Sequence, residues 1–340
     1  MISEMVVFEK LSKTAIFFYL YIYCRIQWGG VREMIEFLNI LREIILPIFI
    51  IIAIGYILQK KFHMNVPTLA KINMYFLVPS FIFVRLYSTD LTFKLFGFVL
   101  LFFIIMVVVL YVISNLVAKL IGLKNGERIT FSNSTIFFNS GNYGVPVNDL
   151  VFKGDPFAMS VQVIVLTLQN ILTFSYGVFS LQAAKVGKLK AMQGYLKMPV
   201  LYAMLTGILL NYFSIPLPSF VWVPANYIAD AMVGIALFTL GAQVAEIDFK
   251  VGLTKVYWSL SFRLLGGPAI ALGLIFLFQL EGVIAQALFI ASSMPTSVNS
   301  AIIAEEYNNY PGFAAQIVLF STIYSSITVS IMIYLSRLLF

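Results

Sequence analysis

The chain has 340 residues, of which 61% are apolar and only 11% charged, with a mean hydropathy of +0.95. Soluble domains run at about 45–50% apolar and about 25% charged, so a soluble enzyme, a nucleic-acid-binding module and a disordered chain are all excluded and a polytopic membrane protein remains. The 22 Lys+Arg against 15 Asp+Glu, a formal charge of +7, then read as basic cytoplasmic loops that orient the spans.

In chain order, the first 33 residues come first. Thr14–Cys24 is apolar and aromatic, but Arg25 cuts it short, which suits a short tilted or interfacial helix. No small-residue cleavage site follows, so it does not read as a signal peptide. Residues 1–40 are read as an N-terminal extension, with Met34 as the alternative natural start. Ten apolar segments follow: Ile44–Leu58, Pro67–Tyr87, Phe93–Ile121, an interrupted Ile129–Phe152, Pro156–Ala184, Leu196–Phe213, Phe220–Val244, Leu253–Leu280, an interrupted Val283–Tyr307 and Gly312–Leu339. Their length and continuity predict helices rather than barrel strands, because about 20 apolar residues cross the hydrocarbon core as a helix. The expected fold is an all-α polytopic membrane protein.

Placing the loops after odd-numbered spans in the cytoplasm puts Lys60, Lys61, Lys119, Lys124, Arg128, Lys185, Lys188, Lys190, Lys197, Lys250 and Lys255 there. Only Arg42, Arg85, Lys94, Lys153 and Arg337 fall on the other side. That bias puts both ends of the ten-span body outside the cell, in the plasma membrane.

The halves on either side of the basic loop 186–195 echo each other, residues 41–185 against 196–340. Pro47 to Pro199 is 152 residues, Pro67 to Pro224 is 157, and Gly141 to Pro295 is 154. Five spans per half make the second half enter from the opposite side, which is the inverted repeat of many secondary transporters.

The fourth span contains Asn139-Ser140-Gly141-Asn142-Tyr143-Gly144-Val145-Pro146, and the ninth contains Met294-Pro295-Thr296-Ser297-Val298-Asn299. Proline removes a backbone donor and glycine weakens a helix, so both spans are expected to break. Broken helices at membrane depth are tolerated only in a protein interior or around a polar cavity. Matched breaks in two halves point to a transporter binding site, with half-helix N-termini attracting an anion. The predicted binding set is Asn139, Gly141, Asn142, Gly144, Pro146, Pro295, Thr296, Ser297 and Asn299. The plainer alternative is a pair of structural kinks that let helices pack closely.

Intramembrane charge is costly and tends to be functional. Asp230 is a candidate proton carrier or partner for a buried cation. Arg263 is a candidate for pairing with an acid or holding a substrate carboxylate. Lys71, one turn from Pro67, snorkels to the cytoplasmic surface or joins the site. Glu305 and Glu306 close the ninth span and face the cytoplasm. One cysteine, Cys24, and one histidine, His63, give no disulfide, zinc or haem site of the usual ligand count, and no cofactor is expected. The absence of a phosphate loop and of the protease motifs argues against an ATPase domain and a membrane protease.

Phe138-Asn139-Ser140-Gly141-Asn142-Tyr143-Gly144-Val145-Pro146 resembles the Asn-x-Gly-Asn-x-Gly-x-Pro segment of the auxin efflux carrier family. Met294-Pro295 with Ala304-Glu305-Glu306-Tyr307-Asn308 is similar to that family's ninth span, and Leu46-Pro47-Ile48-Phe49 with Gly55-Tyr56 to its first. The resemblance covers about residues 40–340. It implies ten helices in a five-plus-five inverted repeat, with spans four and nine as broken crossover helices. Spans 1, 2, 6 and 7 would form a scaffold, often the surface of a homodimer. Spans 3–5 and 8–10 would form a transport domain that moves like an elevator. It implies a carrier of organic anions such as malonate and malate, not an enzyme, with a small anion, a coupled proton or sodium ion and the lipid bilayer as partners and no nucleic acid. The family's plant members carry a proline where this chain has Ser140-Gly141, which argues against auxin itself. A sodium-coupled symporter of bile-acid-carrier type and a membrane-embedded ligand sensor are the alternative readings.

Overall fold

The computed structural model describes residues 34–88, 93–123, 125–177, 180–181, 199–247 and 254–340. The aromatic stretch Thr14–Cys24, the basic loop 186–195 and the outer ends of the fifth, sixth and eighth apolar segments lie outside the described residues. The regular structure described is helical: α1 (Met34–Phe62), α2 (Val66–Ser88), α3 (Phe93–Leu120), α4 (Asn125–Ile136), α5 (Val145–Phe152), α6 (Pro156–Leu172), α7 (Pro199–Tyr212), α8 (Ser219–Ala245), α9 (Thr254–Leu277), α10 (Gly282–Ser292), α11 (Val298–Glu306) and α12 (Pro311–Leu339). Six of them, α1, α2, α3, α8, α9 and α12, are long and apolar enough to cross a membrane, and α6 and α10 are shorter apolar helices. The protein is a multi-pass membrane protein.

Local chemistry sets the helix ends. Asn65 accepts from the Thr68 amide at 2.9 Å and precedes Pro67, so α2 begins there. Asp155 does the same for α6 by accepting from the Ala158 amide at 2.8 Å. These are N-caps with proline in the first turn, where its missing N–H costs nothing. His63 in the left-handed conformation ends α1, its amide donating to the Gln59 carbonyl at 2.9 Å. The first helix starts ten residues before the apolar segment predicted from Ile44, since Glu36, Arg42 and Glu43 extend it on the polar side, and Glu36 lies 4.0 Å from Arg337 of α12. π-Turns interrupt the helices at Leu41–Ile45, Asn73–Leu77, Ser140–Gly144, Thr173–Gly177 and Phe262–Gly266.

Two sets of helices emerge from the polar bonds. In the first, Gln59 of α1 bonds Glu246 beyond α8, Ser80 of α2 bonds the Ala225 carbonyl of α8, and Asn211 of α7 bonds the Tyr87 carbonyl of α2. In the second, Asn309 bonds Thr130 of α4, Lys255 of α9 pairs with Glu127 of α4 at 2.8 Å, and Ser132 of α4 bonds Ser114 of α3. Between the sets lies an apolar cluster that joins Phe81, Ile82, Met204 and Met232 to Val145, Met159, Val163 and Leu166.

Within the first set, α1 and α8 pack along one another through glycines. A Cβ on Gly55 would overlap the Phe238 carbonyl, and one on Gly241 the Ile52 carbonyl. With lipid on the outside, such backbone approach supplies dispersion contact that larger side chains would block. Gly241→Val is therefore expected to destabilise the protein by about 1–3 kcal/mol through overpacking, read as a lower thermal midpoint in detergent. Gly273→Val, where an added side chain meets open space, should leave the midpoint unchanged.

Candidate functional site

The two interrupted segments break where proline and glycine predict, and the breaks meet. Phe138 and Thr296 form an antiparallel bridge. The Asn139 amide donates to the Pro295 carbonyl at 2.8 Å, and the Ser297 amide donates to the Phe137 carbonyl at 2.7 Å. Each break thus satisfies the backbone groups that the other frees, which a bilayer interior demands. Thr296 is fully buried in this junction. Its hydroxyl donates to the Ser134 carbonyl at 2.9 Å, and its amide donates to the Ser321 hydroxyl at 3.1 Å.

Past the breaks the chain re-enters helices whose N-termini face one cavity of about 650 Å3. Asn139, Ser140, Gly141 and Asn142 line it from one segment, and Ser297, Val298 and Asn299 from the other. Lys71 lines it from α2. Five predicted binding residues and Lys71 are therefore brought together. Pro295, Thr296, Gly144 and Pro146 stand behind the wall. The Gly144 amide donates to the Asn139 carbonyl at 2.9 Å, and a Cβ there would strike the Gln162 amide. Pro146 is buried in the first turn of α5.

Asn139 is 5% exposed, and its side-chain Nδ2 has no acceptor. A buried donor left without an acceptor is costly. The sequence reading missed the amides that complete the wall: Asn73 of α2, Gln169 and Asn170 of α6, Gln243 of α8 and Gln316 of α12, together with Thr173, Thr239 and Glu246. The available signal was amide side chains inside long apolar runs. Three π-turns, at Asn73–Leu77, Ser140–Gly144 and Thr173–Gly177, carry wall residues. Such turns recur at functional sites.

Arg263 lies behind the junction rather than in the cavity wall and is fully buried. Its guanidinium donates to the Thr135 carbonyl at 2.9 Å and to the Ser292 carbonyl, and stands 5.1 Å over the Phe138 ring. Thr135 is in the last turn of α4 and Ser292 ends α10, so one cation caps the negative ends of both half-helices. Asp230 is exposed on the outer face of α8, away from the cavity.

The chain is similar to known membrane transport proteins. A family profile described as membrane transport protein matches residues 40–333. An uncharacterized transporter of Methanothermobacter thermautotrophicus is 23% identical over 291 residues, covering 84% of this chain and 95% of the relative. Auxin efflux carrier component 6 of Arabidopsis thaliana is 29% identical over 142 residues, covering 40% of this chain and 25% of that protein.

Arg263→Met should leave two buried carbonyls without donors. The expected loss of stability is about 1–3 kcal/mol for each unsatisfied group, checked by thermal unfolding in detergent. Arg263→Lys, which keeps the charge but not the two-pronged fork, should fall between.

Proposed function

The chain belongs to the membrane transport protein family, of the auxin efflux carrier type, and is a transporter rather than an enzyme; on that premise we propose that it is a secondary carrier of a small organic anion such as a mono- or dicarboxylate. The observation that carries this reading is the Asn139 amide nitrogen, buried without an acceptor between two half-helix N-termini at the wall of one cavity. Partial positive charge at helix N-termini and neutral amide donors bind an anion without placing a fixed cation at its base. An amide-rich lining whose one positive side chain among the described residues is Lys71 suits a substrate that must also be released.

In this reading the interrupted segments are the crossover helices of a ten-span, five-plus-five inverted repeat. The scaffold consists of α1, α2, α7 and α8, and the transport domain of α3 to α6 and α9 to α12. The way hydrogen bonds gather within these two sets, with methionine and valine between them, supports an elevator movement of one against the other. Both ends of the ten-span body lie outside the plasma membrane. A homodimer forms through the exposed aromatic faces of α7 and α8, with Tyr202, Tyr212, Phe220 and Tyr227 outermost.

Counterflow in liposomes tests the carrier directly and needs no knowledge of the driving ion. Labelled malonate or malate should exchange saturably against its unlabelled form, and auxin should compete poorly. Asn142→Ala is expected to abolish saturable exchange in a folded protein. Asn139→Ala should raise KM by about 10- to 100-fold, the loss of one hydrogen bond to a charged group. Binding of these anions without exchange would instead favour a sensor, and unchanged kinetics in both variants would remove the assigned site.

A further inference from the structure

Among the described residues, the charged side chains of the cavity wall are Lys71, Glu246 and Glu305. One cation stands against two carboxylates, an unwelcoming balance for an arriving anion. Glu246 follows the last residue of α8 and accepts from Gln59 Nε2 of α1 at 3.2 Å. The same Gln59 nitrogen donates to the Met64 carbonyl at 3.0 Å, while its Oε1 is buried without a partner. Gln243, one turn before Glu246 on α8, is 9% exposed, lines the cavity and also leaves its Oε1 without a partner. Glu246, Glu305 and Gln243 therefore line the cavity, Gln59 reaches Glu246 from α1, and the buried side-chain oxygens of Gln59 and Gln243 have no partner among the described residues.

The other charged groups around this point do not supply a balancing positive charge. From α1, Lys60 stands 5.8 Å over the Tyr56 ring and Lys61 stands 5.3 Å over the Phe62 ring, with His63 ending the helix. Lys71 comes from α2, Glu306 lies beside Glu305 on α11, and α12 contributes the uncharged Gln316. Among the described residues neither Glu246 nor Glu305 is in an ion pair. Asp248 and Lys250, next along the chain, lie outside the described residues.

We propose that Glu246 and Glu305, with the unpartnered side-chain oxygens of Gln59 and Gln243, form a binding site for one monovalent cation, a proton or an alkali ion, at the mouth of the cavity. Hard oxygen donors with net negative charge suit either source. Burial pushes the Glu246 carboxyl up, repulsion from Glu305 pushes it further, and the Gln59 hydrogen bond opposes both. A raised carboxyl holds its proton at higher pH than a free one, so occupancy by a proton grows as pH falls. Filling the site cancels one of the two carboxylates and favours the anion, and the anion in turn favours the cation by the same factor. Only this last consequence rests on the carrier reading; the site itself does not.

The full chain in detergent is melted across the acid-to-neutral range in choline chloride, then with sodium or potassium chloride replacing choline. The wild type is expected to gain about 2 °C or more from acidification or from an alkali ion. A gain from acid alone identifies the proton, and a gain over choline at constant pH identifies the alkali ion. Glu246→Gln should remove the response, and Glu306→Gln should keep it. No response in the wild type, or an equal response in wild type and Glu246→Gln, overturns the site. In liposomes the same cation should change the apparent affinity for malonate by about 5- to 150-fold in the wild type but not in Glu246→Gln. Exchange that ignores the cation removes the coupling between cation and anion and leaves the carrier standing. A cation response in melting without any exchange removes the carrier and leaves the site.

Discussion

Everything around the cavity depends on how two broken helices satisfy each other's backbone. A helix interrupted at membrane depth frees amides and carbonyls that hydrocarbon cannot bond. Here the freed groups pair across the junction, Asn139 with Pro295 and Ser297 with Phe137. Thr296 adds two further bonds to neighbouring segments. The pairing has a geometric consequence. It brings the starts of two half-helices to one place, with Ser140–Asn142 and Ser297–Asn299 lining the same space. A single break would have needed water or a side chain for relief and would have assembled no site.

The junction also separates charge. Arg263 sits on the side where α4 and α10 end, bonded to carbonyls of Thr135 and Ser292. Its positive charge is spent on the negative helix ends, with the Phe138 ring beneath it. The opposite side keeps the positive helix ends open to the cavity. A buried guanidinium facing an anion would hold it in a strong bidentate pair, and release would be slow. Helix termini and amides attract an anion less strongly, which suits the loading and unloading that the proposed carrier role requires. The fixed charge does structural work, and the weaker dipoles are left facing the cavity.

Proline and glycine within apolar runs made the two breaks legible, and the amides beside them, Asn139, Asn142 and Asn299, lie in the cavity wall. The 154-residue spacing of Gly141 and Pro295 matches the other proline spacings and pairs the two breaks in the sequence. Other features were not legible for a physical reason. In a segment that is apolar all round, the sequence carries no amphipathic stripe, so it does not say which way Gln169, Gln243 or Asn73 points. Thr296 looked like a ligand because hydroxyls in broken helices often are, yet the junction uses it as a brace. Arg263 looked like a partner for an acid or a substrate, but two backbone carbonyls hold it. Backbone carbonyls at helix ends are invisible in side-chain chemistry and appear only once the chain is folded.

The polar and apolar contacts divide the molecule unequally, and the division bears on movement. Directional bonds hold α1, α2, α7 and α8 to one another, and the junction with Arg263 holds α4, α9 and α10 together. Where α5 and α6 meet α2, α7 and α8, the contact is Val145, Met159, Val163 and Leu166 against Phe81, Met204 and Met232. Methionine and other apolar side chains re-pack with little loss when surfaces shift, whereas broken hydrogen bonds in hydrocarbon must be remade at once. A displacement between the two sets therefore costs least along this apolar seam. The cavity opens between the same two sets, with Lys71 and Glu246 on one side and Asn139, Asn142 and Asn299 on the other. If the proposed carrier moves along this seam, the cavity changes while the junction that builds it stays intact.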